Sequence, residues 1–222
     1  MARRYVIRQD AAPVAPISGI DYRTALNEEQ YAAVSSEPGP ALVIAGAGSG
    51  KTRTLTYRVA WLLDHGTDPW NILLLTFTNK AAREMTERVR SLIPLDLSRL
   101  WSGTFHSIAN RILRQHAEYL GYTPAFTIMD SDDRKSMIKS VVKSLKLDEK
   151  STRFPKPEVL SSLFSLADNE GANIRETLEN AYPYLSNHLD AILEVHDQYV
   201  ARKQETNSMD FDDLLLNVVR LF

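Results

Sequence analysis

The chain has 222 residues, of which 44% are hydrophobic, and it carries a formal net charge of −2 with a sequence pI of about 6.2. A chain of this length and composition can bury a sizeable core in one large domain or in two modest ones. Because the charges nearly balance, a protein coated in positive charge is excluded, and any nucleic-acid site must be local.

The absence of cysteine excludes disulfides and thiolate metal sites, and it suits a reducing cytoplasm. No apolar run is long enough to span a membrane, and the proline- and alanine-rich segment 1–20 lacks the apolar stretch of a signal peptide. We therefore expect a cytoplasmic protein whose N-terminal segment is a loose tail.

Two short apolar runs in the first half of the chain, Pro40–Gly46 and Asn71–Phe77, are bounded by turn signals. Continuous apolar runs of this length are typical of strands that are buried on both faces. Helical patterns follow at Thr52–Leu63 and Asn79–Ile93, and residues 99–104 form a third strand candidate in front of another helix. The alternation of strands and helices predicts an α/β fold with a parallel sheet.

A glycine-rich turn, AGAGSGKT, separates the first predicted strand from the helix after it. Such a turn lets successive backbone N–H groups point into one concavity, to which the helix N-terminus adds partial positive charge. Lys51 would reach the terminal phosphates of a nucleotide, and Thr52 would offer its hydroxyl to Mg²⁺. The alternative is an unrelated flexible loop. The candidate nucleotide-binding residues of this turn are Ala45, Gly46, Ala47, Gly48, Ser49, Gly50, Lys51 and Thr52.

From Gly121 onward glycine is rare, and apolar residues recur at helical spacing in stripes that start at Met137, Val159 and Leu189. This part of the chain is therefore predicted to be almost entirely helical.

Acidic residues mark the start of two of these helices. Asp130 or Ser131 is the predicted N-cap of the first one. Asp210, Asp212 and Asp213 open the last one, where the helix dipole stabilises negative charge. Capping is the favoured interpretation of these three carboxylates, and paired catalytic carboxylates or a metal site are the alternatives.

In the order of its motifs the chain resembles the superfamily 1 helicases of the UvrD/Rep type. Residues 46–55 match motif I of that family, Leu73–Met85 resembles motif Ia and Gly103–Leu113 resembles motif Ib. Met209–Leu215 is similar to the segment that precedes the Walker B strand of the family. The resemblance covers most of the chain.

Upstream of the glycine-rich turn, Leu26–Val34 resembles the Q motif of these helicases. Gln30 would read the adenine there, since one amide can both donate to and accept from an adenine edge. Without the surrounding motif, the alternative to this role is that Gln30 is a solvated residue of a helix. The resemblance places Arg53 near the base or sugar, and it implies ATP and Mg²⁺ as cofactors with Lys51 and Thr52 as catalytic residues.

The strand ends in motifs Ia and Ib are suited to binding single-stranded DNA. A strand ends at Phe77 and a helix follows it. The helix N-terminus and Lys80 could therefore contact a phosphate, and the ring of Phe77 could stack on a base. The segment from Thr104 to His106 repeats this arrangement. A core position for Phe77 and a turn position for His106 are the alternatives. The candidate DNA-binding residues are Thr76, Phe77, Thr78, Asn79, Lys80, Gly103, Thr104 and His106.

The resemblance also implies a domain organisation, because UvrD/Rep-type helicases have a RecA-like domain 1A that is interrupted by a helical insertion, 1B. The expected parts are the tail at 1–20, the first part of domain 1A at 21–121, the insertion at 122–208 and a return to domain 1A at 209–222. The expected fold class is thus α/β, a partial RecA-like P-loop parallel sheet with an inserted all-helical subdomain.

The expected function is that of the N-terminal part of an ATP-dependent 3′-to-5′ DNA helicase, truncated before its Walker B motif. Its expected partners are single-stranded DNA and the missing C-terminal motor domain, and the chain alone is expected not to hydrolyse ATP. Without the later strands, Leu42–Ile44 is expected to be an unpaired sheet edge that favours self-association. The alternatives are the motor part of a helicase–nuclease fusion and a non-enzymatic P-loop module that binds ATP to control a protein partner.

Overall fold

The computed structural model describes residues 16–147 and 154–222, so most of the predicted N-terminal tail lies outside the described residues. The chain divides into two units, Met1–Phe105 and His106–Phe222. No helix among the described residues is long and apolar enough to cross a membrane.

The first unit alternates helices with short strands. Its elements are α1 (Tyr22–Ala25), α2 (Glu28–Ser35), α3 (Lys51–Asp64), β1 (Leu73–Thr76), α4 (Asn79–Leu92) and β2 (Trp101–Thr104). The two strands pair in parallel, with Leu73 opposite Trp101 and Thr76 opposite Thr104. The predicted helices and the two later strands are therefore confirmed, although both strands are shorter than the segments predicted for them.

Helix α3 packs between α2 and α4, and the core of this unit lies around it. A buried carboxylate, Asp64, ends α3 and accepts hydrogen bonds from the hydroxyl of Tyr22 at 2.6 Å and from the backbone N–H groups of Ser18 at 2.9 Å and Ile17 at 3.1 Å. Burial opposes the ionisation of Asp64, but these bonds and the Ser18 hydroxyl outweigh it and lower its pKa. The chain before α1 is thereby fixed to the end of α3.

The prediction that Pro40–Gly46 is a strand buried on both faces is wrong in this structure. Leu42 and Ile44 are 87% and 89% exposed, and the segment has no strand assignment. A strand needs a neighbour to satisfy its backbone N–H and C=O groups, and β1 pairs only with β2 among the described residues. The prediction that Asn71–Phe77 is buried on both faces is also wrong for one face of the strand, because Leu74 is buried whereas Leu73 is exposed.

The second unit is mainly helical, as the sequence predicts. Its elements are α5 (Phe105–His116, whose first residue ends the first unit), β3 (Thr127–Ile128), α6 (Ser131–Ser144), α7 (Pro157–Glu170), α8 (Ile174–Ala181), α9 (Leu189–Glu205), β4 (Ser208–Met209) and α10 (Phe211–Leu221). The short strands β3 and β4 pair in parallel, and no sequence signal predicted them. Asp130 caps α6 with a reciprocal capping box, which confirms one of the two predicted caps.

The main core of the second unit lies between α6, α7, α8 and α9. Its fully buried side chains include Ile138, Val141, Leu160, Leu163, Leu178, Ile192 and Val195. A smaller cluster joins α5 to β4 and α10 through Leu113, Phe126, Met209 and Leu214. Together the two units make a mixed α/β chain with two small parallel sheets.

A group of charged side chains lies beside the main core of the second unit, where α7, α9 and α10 line a cavity of about 500 Å³. Asp168 of α7 faces this cavity together with Lys203 and Asp213. Burial raises the pKa of Asp168 to about 6, because the attraction of Lys203 does not compensate for burial and for the nearby carboxylates of Asp210, Asp212 and Asp213.

We predict that Asp168→Asn stabilises the protein at neutral pH. The folded chain holds the Asp168 proton up to about pH 6, whereas the unfolded chain releases it near the usual value of 3.8. Stability contributed by this group is therefore present at low pH and is lost as the pH rises towards 6. The melting temperature of the variant should exceed that of the wild type at about pH 7.5, and the difference should shrink on acidification.

Thermal unfolding followed by circular dichroism over this pH range measures the effect. Glu194→Gln removes an exposed carboxylate of α9 and serves as the control. A gain that is the same at every pH would contradict the titration of Asp168.

Candidate nucleotide and nucleic-acid sites

The glycine-rich turn leads directly into α3 and leaves the start of this helix without a side-chain cap. Gly50 is the N-cap residue, with φ +84° and ψ +24°, and Gly48 also has a left-handed φ of +78°. No described side chain accepts a hydrogen bond from the first N–H groups of α3 at this cap. Unsatisfied N–H groups at the positive end of a helix dipole attract an anion.

Lys51 lies across this turn rather than pointing away from it. Its Nζ donates to the carbonyl oxygens of Ala45 at 3.0 Å and Gly46 at 2.7 Å, and the hydroxyl of Ser49 donates to Gly46 at 2.7 Å. Thr52, the second residue of α3, is exposed. A cation and a hydroxyl are thus present beside the uncapped helix end.

Gln30 and Arg53 connect this turn to the helices before it. The side-chain amide of Gln30 donates to the carbonyl oxygen of Ser49 at 3.0 Å and accepts from the backbone N–H of Asn27 at 3.3 Å. The guanidinium of Arg53 donates to the carbonyl oxygen of Ala25 at 2.8 Å and lies 5.0 Å from the ring centroid of Tyr57. The structure therefore brings the predicted adenine-reading residue into contact with the predicted phosphate-binding turn.

These groups fit a nucleoside triphosphate with a divalent cation. The left-handed glycines and the uncapped helix end suit phosphate oxygens, and the exposed Thr52 suits Mg²⁺, which prefers few protein ligands together with phosphate and water. Among the described residues, no group of three or more His, Asp or Glu side chains could hold a metal ion.

The parallel register of β1 and β2 brings the two predicted DNA-binding strand ends together at one edge of the sheet. Leu75 pairs with Gly103 and Thr76 with Thr104, so both strands end side by side. Phe77, directly after β1, is 93% exposed, and the core alternative for this residue is wrong. An exposed aromatic ring next to paired strand ends can accept a stacked base.

Hydrogen bonds shape the turn around Phe77. The hydroxyl of Thr76 donates to the carbonyl oxygen of Thr78 at 3.0 Å, and the hydroxyl of Thr78 caps α4 by accepting from the N–H of Ala81 at 3.1 Å. Asn79 is exposed, and the Lys80 ammonium is exposed with Glu84 3.9 Å away. Lys80 can therefore contact a phosphate, while the hydroxyl of Thr78 is already engaged by the helix.

In the second unit, His106 is exposed on the first turn of α5 and its ring meets a second aromatic ring. The centroids of the Phe211 and His106 rings lie 5.8 Å apart, and the two ring planes make an angle of 76°. Phe211 is 51% exposed, and it is not among the candidate DNA-binding residues named from the sequence. The missed signal is its position as the first residue of a helix, between two acidic residues.

The acidic start of α10 is a helix cap, as predicted. Asp210 accepts from the N–H of Asp213 at 2.9 Å, and Asp213 accepts from the N–H of Asp210 at 2.9 Å. This reciprocal arrangement is a capping box.

Comparison with known proteins shows the family of the chain. Residues 26–222 match the family model of the UvrD/REP helicase N-terminal domain. The chain is similar to the ATP-dependent DNA helicase PcrA of Staphylococcus aureus and of Staphylococcus epidermidis, each 41% identical over 198 residues. The aligned region covers 89% of this chain and 26% of each relative, so the chain spans about a quarter of the length of these relatives.

We predict that Gly50→Ala destabilises the protein and disturbs the glycine-rich turn. An added Cβ at Gly50 would lie 2.7 Å from the Gln30 amide nitrogen. The left-handed backbone costs an alanine roughly 1–2 kcal/mol as well. Urea denaturation should show a loss of free energy of unfolding at least this large.

Two other glycines of the turn provide matched controls. Gly48 shares the left-handed backbone but faces open space, so Gly48→Ala should lose only the backbone contribution. An added Cβ at Gly46 meets nothing within 4 Å, and Gly46→Ala should have almost no effect. Equal losses in Gly48→Ala and Gly50→Ala would show that the contact with Gln30 adds nothing to the backbone contribution.

Proposed function

Because the chain belongs to the UvrD/REP helicase family, we propose that it is the ATP-binding and single-strand-binding N-terminal part of a DNA helicase that moves from 3′ to 5′. The observation that carries this proposal is the glycine-rich turn at the uncapped start of α3, with Lys51 lying across it. The paired strand ends beside Phe77 supply the complementary DNA site.

On the nucleotide side, the N–H groups between Ala45 and Thr52 would bind phosphate oxygens. Lys51 would exchange its two carbonyl partners for the terminal phosphates, since its side chain is exposed. Thr52 would contribute its hydroxyl to Mg²⁺, and Gln30 and Arg53 would bind the base and sugar. When bound, ATP supplies the free energy of hydrolysis for movement along DNA.

On the DNA side, the residues at the carboxyl ends of the strands have different tasks. Phe77 would stack on a base, whereas Lys80, Asn79 and the hydroxyls of Thr76 and Thr104 would contact phosphates and sugars. The backbone at Gly103 would lie close to the strand, and Thr78 would act by shaping the turn. His106 and Phe211 would form a second aromatic contact in the other unit.

We further propose that β1 and β2 belong to a partial RecA-like parallel sheet. The exposed apolar side chains of Leu42–Ile44 support a covering partner, because exposed apolar runs of this kind are covered in stable folds. A second motor domain would complete the ATPase, and self-association of the chain would cover this segment. The cytoplasmic location remains a prediction.

We predict that Lys51→Ala weakens nucleotide binding at least about tenfold, since a hydrogen bond to a charged group contributes about 1.5–3 kcal/mol. The melting temperature should not change, because Lys51 is exposed. Calorimetric titration with a non-hydrolysable ATP analogue measures the affinity, and Lys80→Ala, another exposed lysine of the same unit, is the control. Undiminished affinity would refute the assignment of the turn.

We predict that Phe77→Ala weakens binding to single-stranded DNA by roughly 1–3 kcal/mol, the contribution of one stacked base. The effect should depend little on sequence, because every base has a ring face. Since Phe77 is 93% exposed, the melting temperature should stay the same.

Fluorescence anisotropy with labelled homopolymeric and mixed oligonucleotides measures this loss. Leu73→Ala changes an exposed apolar residue at the opposite end of β1 and is the control. Equal DNA affinities of the Phe77 variant and the wild type would argue against a base at this position.

A further inference from the structure

Helix α10 starts inside a cluster of buried charges that is contributed by three helices. Lys203 of α9 is only 3% exposed, and its Nζ lies 3.1 Å from Oδ2 of Asp210 and 2.8 Å from Oδ1 of Asp213. The hydroxyl of Tyr199, one turn earlier on α9, donates to Oδ2 of Asp210 at 2.6 Å. Two side chains of α9 therefore converge on the first turn of α10.

Arg134 of α6 is a second cation of this cluster, and it shares Asp210 with Lys203. Its Nε lies 3.8 Å from Oδ2 of Asp210, and its Nη1 donates a hydrogen bond to Oδ2 of Asp212. Burial opposes the ionisation of Asp210, but Lys203 and Arg134 outweigh it and lower its pKa to about 2. Asp210 is therefore charged at neutral pH, whereas burial raises the pKa of Asp213.

The cluster is poorly explained as a device for stability. Replacing a buried ion pair by apolar side chains is often neutral or stabilising, because desolvation offsets the attraction. In addition, Nε and Nη2 of Arg134 are buried without a hydrogen-bond partner among the described residues, which costs stability. Charged hydrogen bonds are directional, however, and they fix the positions of the groups that they join.

The group that gains a fixed position here is the ring of Phe211. Phe211 stands between Asp210 and Asp212, and both carboxylates are bonded from the α6 and α9 side. Because successive residues of a helix point in different directions, the Phe211 side chain leaves the cluster and lies against His106. The ring is half exposed, so its own packing constrains it less than these neighbours do.

We propose that Arg134 and Lys203 are positioning residues for DNA binding: through Asp210, Asp212 and Asp213 they hold the ring of Phe211 beside His106, in the orientation on which a base stacks. This inference rests on the proposed function of the chain as a DNA-binding part of a helicase. Neither cation touches the DNA itself.

A double-mutant cycle on the full-length protein tests this role. Phe211→Ala should lower the affinity for single-stranded DNA roughly 5- to 150-fold, which corresponds to the loss of one stacked base. Arg134→Gln should lower it at least about twofold in the wild-type background, as expected for coupled neighbours, and should have no effect in the Phe211→Ala background. Arg134→Lys, which retains the charge, should restore part of the affinity.

A 2-aminopurine base in the bound strand reports stacking directly. Its quenching should decrease in Arg134→Gln and should be equal in Phe211→Ala and in the double variant. The control is Arg202→Gln, which removes a bond between α9 and Ser140 of α6 but does not touch α10. Should Arg134→Gln fail to fold, Asp212→Asn, which removes a single partner of Arg134, takes its place in the cycle.

The outcomes separate the two levels of the proposal. Equal losses in both backgrounds, or a folded Arg134→Gln protein with wild-type affinity and quenching, would overturn the positioning role. If Phe211→Ala binds DNA as tightly as the wild type, the DNA contact at Phe211 is itself refuted, and the cluster is then structural only.

Discussion

The parallel ladder between β1 and β2 is the interaction on which the first unit depends. Four residue pairs, from Leu73 with Trp101 to Thr76 with Thr104, fix both strand ends at one edge of the sheet. A parallel pair requires a crossover, and α4 supplies it by burying Met85 and Val89 in the same core as Leu74. The exposed ring of Phe77 and the polar groups after it are therefore placed together by backbone pairing.

The described helices differ in how the N–H groups at their N-termini are satisfied, and the glycine-rich turn distinguishes α3 from α7 and α9, which also lack a side-chain cap. Asn27, Thr78 and Asp210 cap α2, α4 and α10 with their own side chains. Gly50 cannot do so at α3, and the left-handed backbone at Gly48 and Gly50 curves the turn around the open helix end. A phosphate would complete α3, whereas it would compete with a carboxylate at α10.

The features that the sequence predicts well are those set by local chemistry: the helices, the cap at Asp130, the capping box of α10 and the glycine-rich turn. Pro40–Gly46 is apolar enough for a buried strand, but a strand also requires a partner, which its own residues do not encode. The periodicity of α9 likewise cannot predict that Lys203 is buried, because its partners Asp210 and Asp213 follow after a turn. Burial of a charge is decided by distant side chains.

Phe77 and Phe211 illustrate two ways to fix the direction of an exposed aromatic ring. Phe77 follows a hydrogen-bonded strand end, and Thr76 and Thr78 on either side of it fix the backbone of the turn. Phe211 starts a helix, where N–H groups and side chains remain to be satisfied, and its flanking carboxylates are bonded by cations from other helices. Apolar packing is non-directional and would cover such a ring, whereas charged hydrogen bonds to its neighbours fix its direction and leave its face exposed. A buried charge cluster beside an exposed ring is therefore better explained by the geometry that it imposes on the ring than by the stability that it contributes.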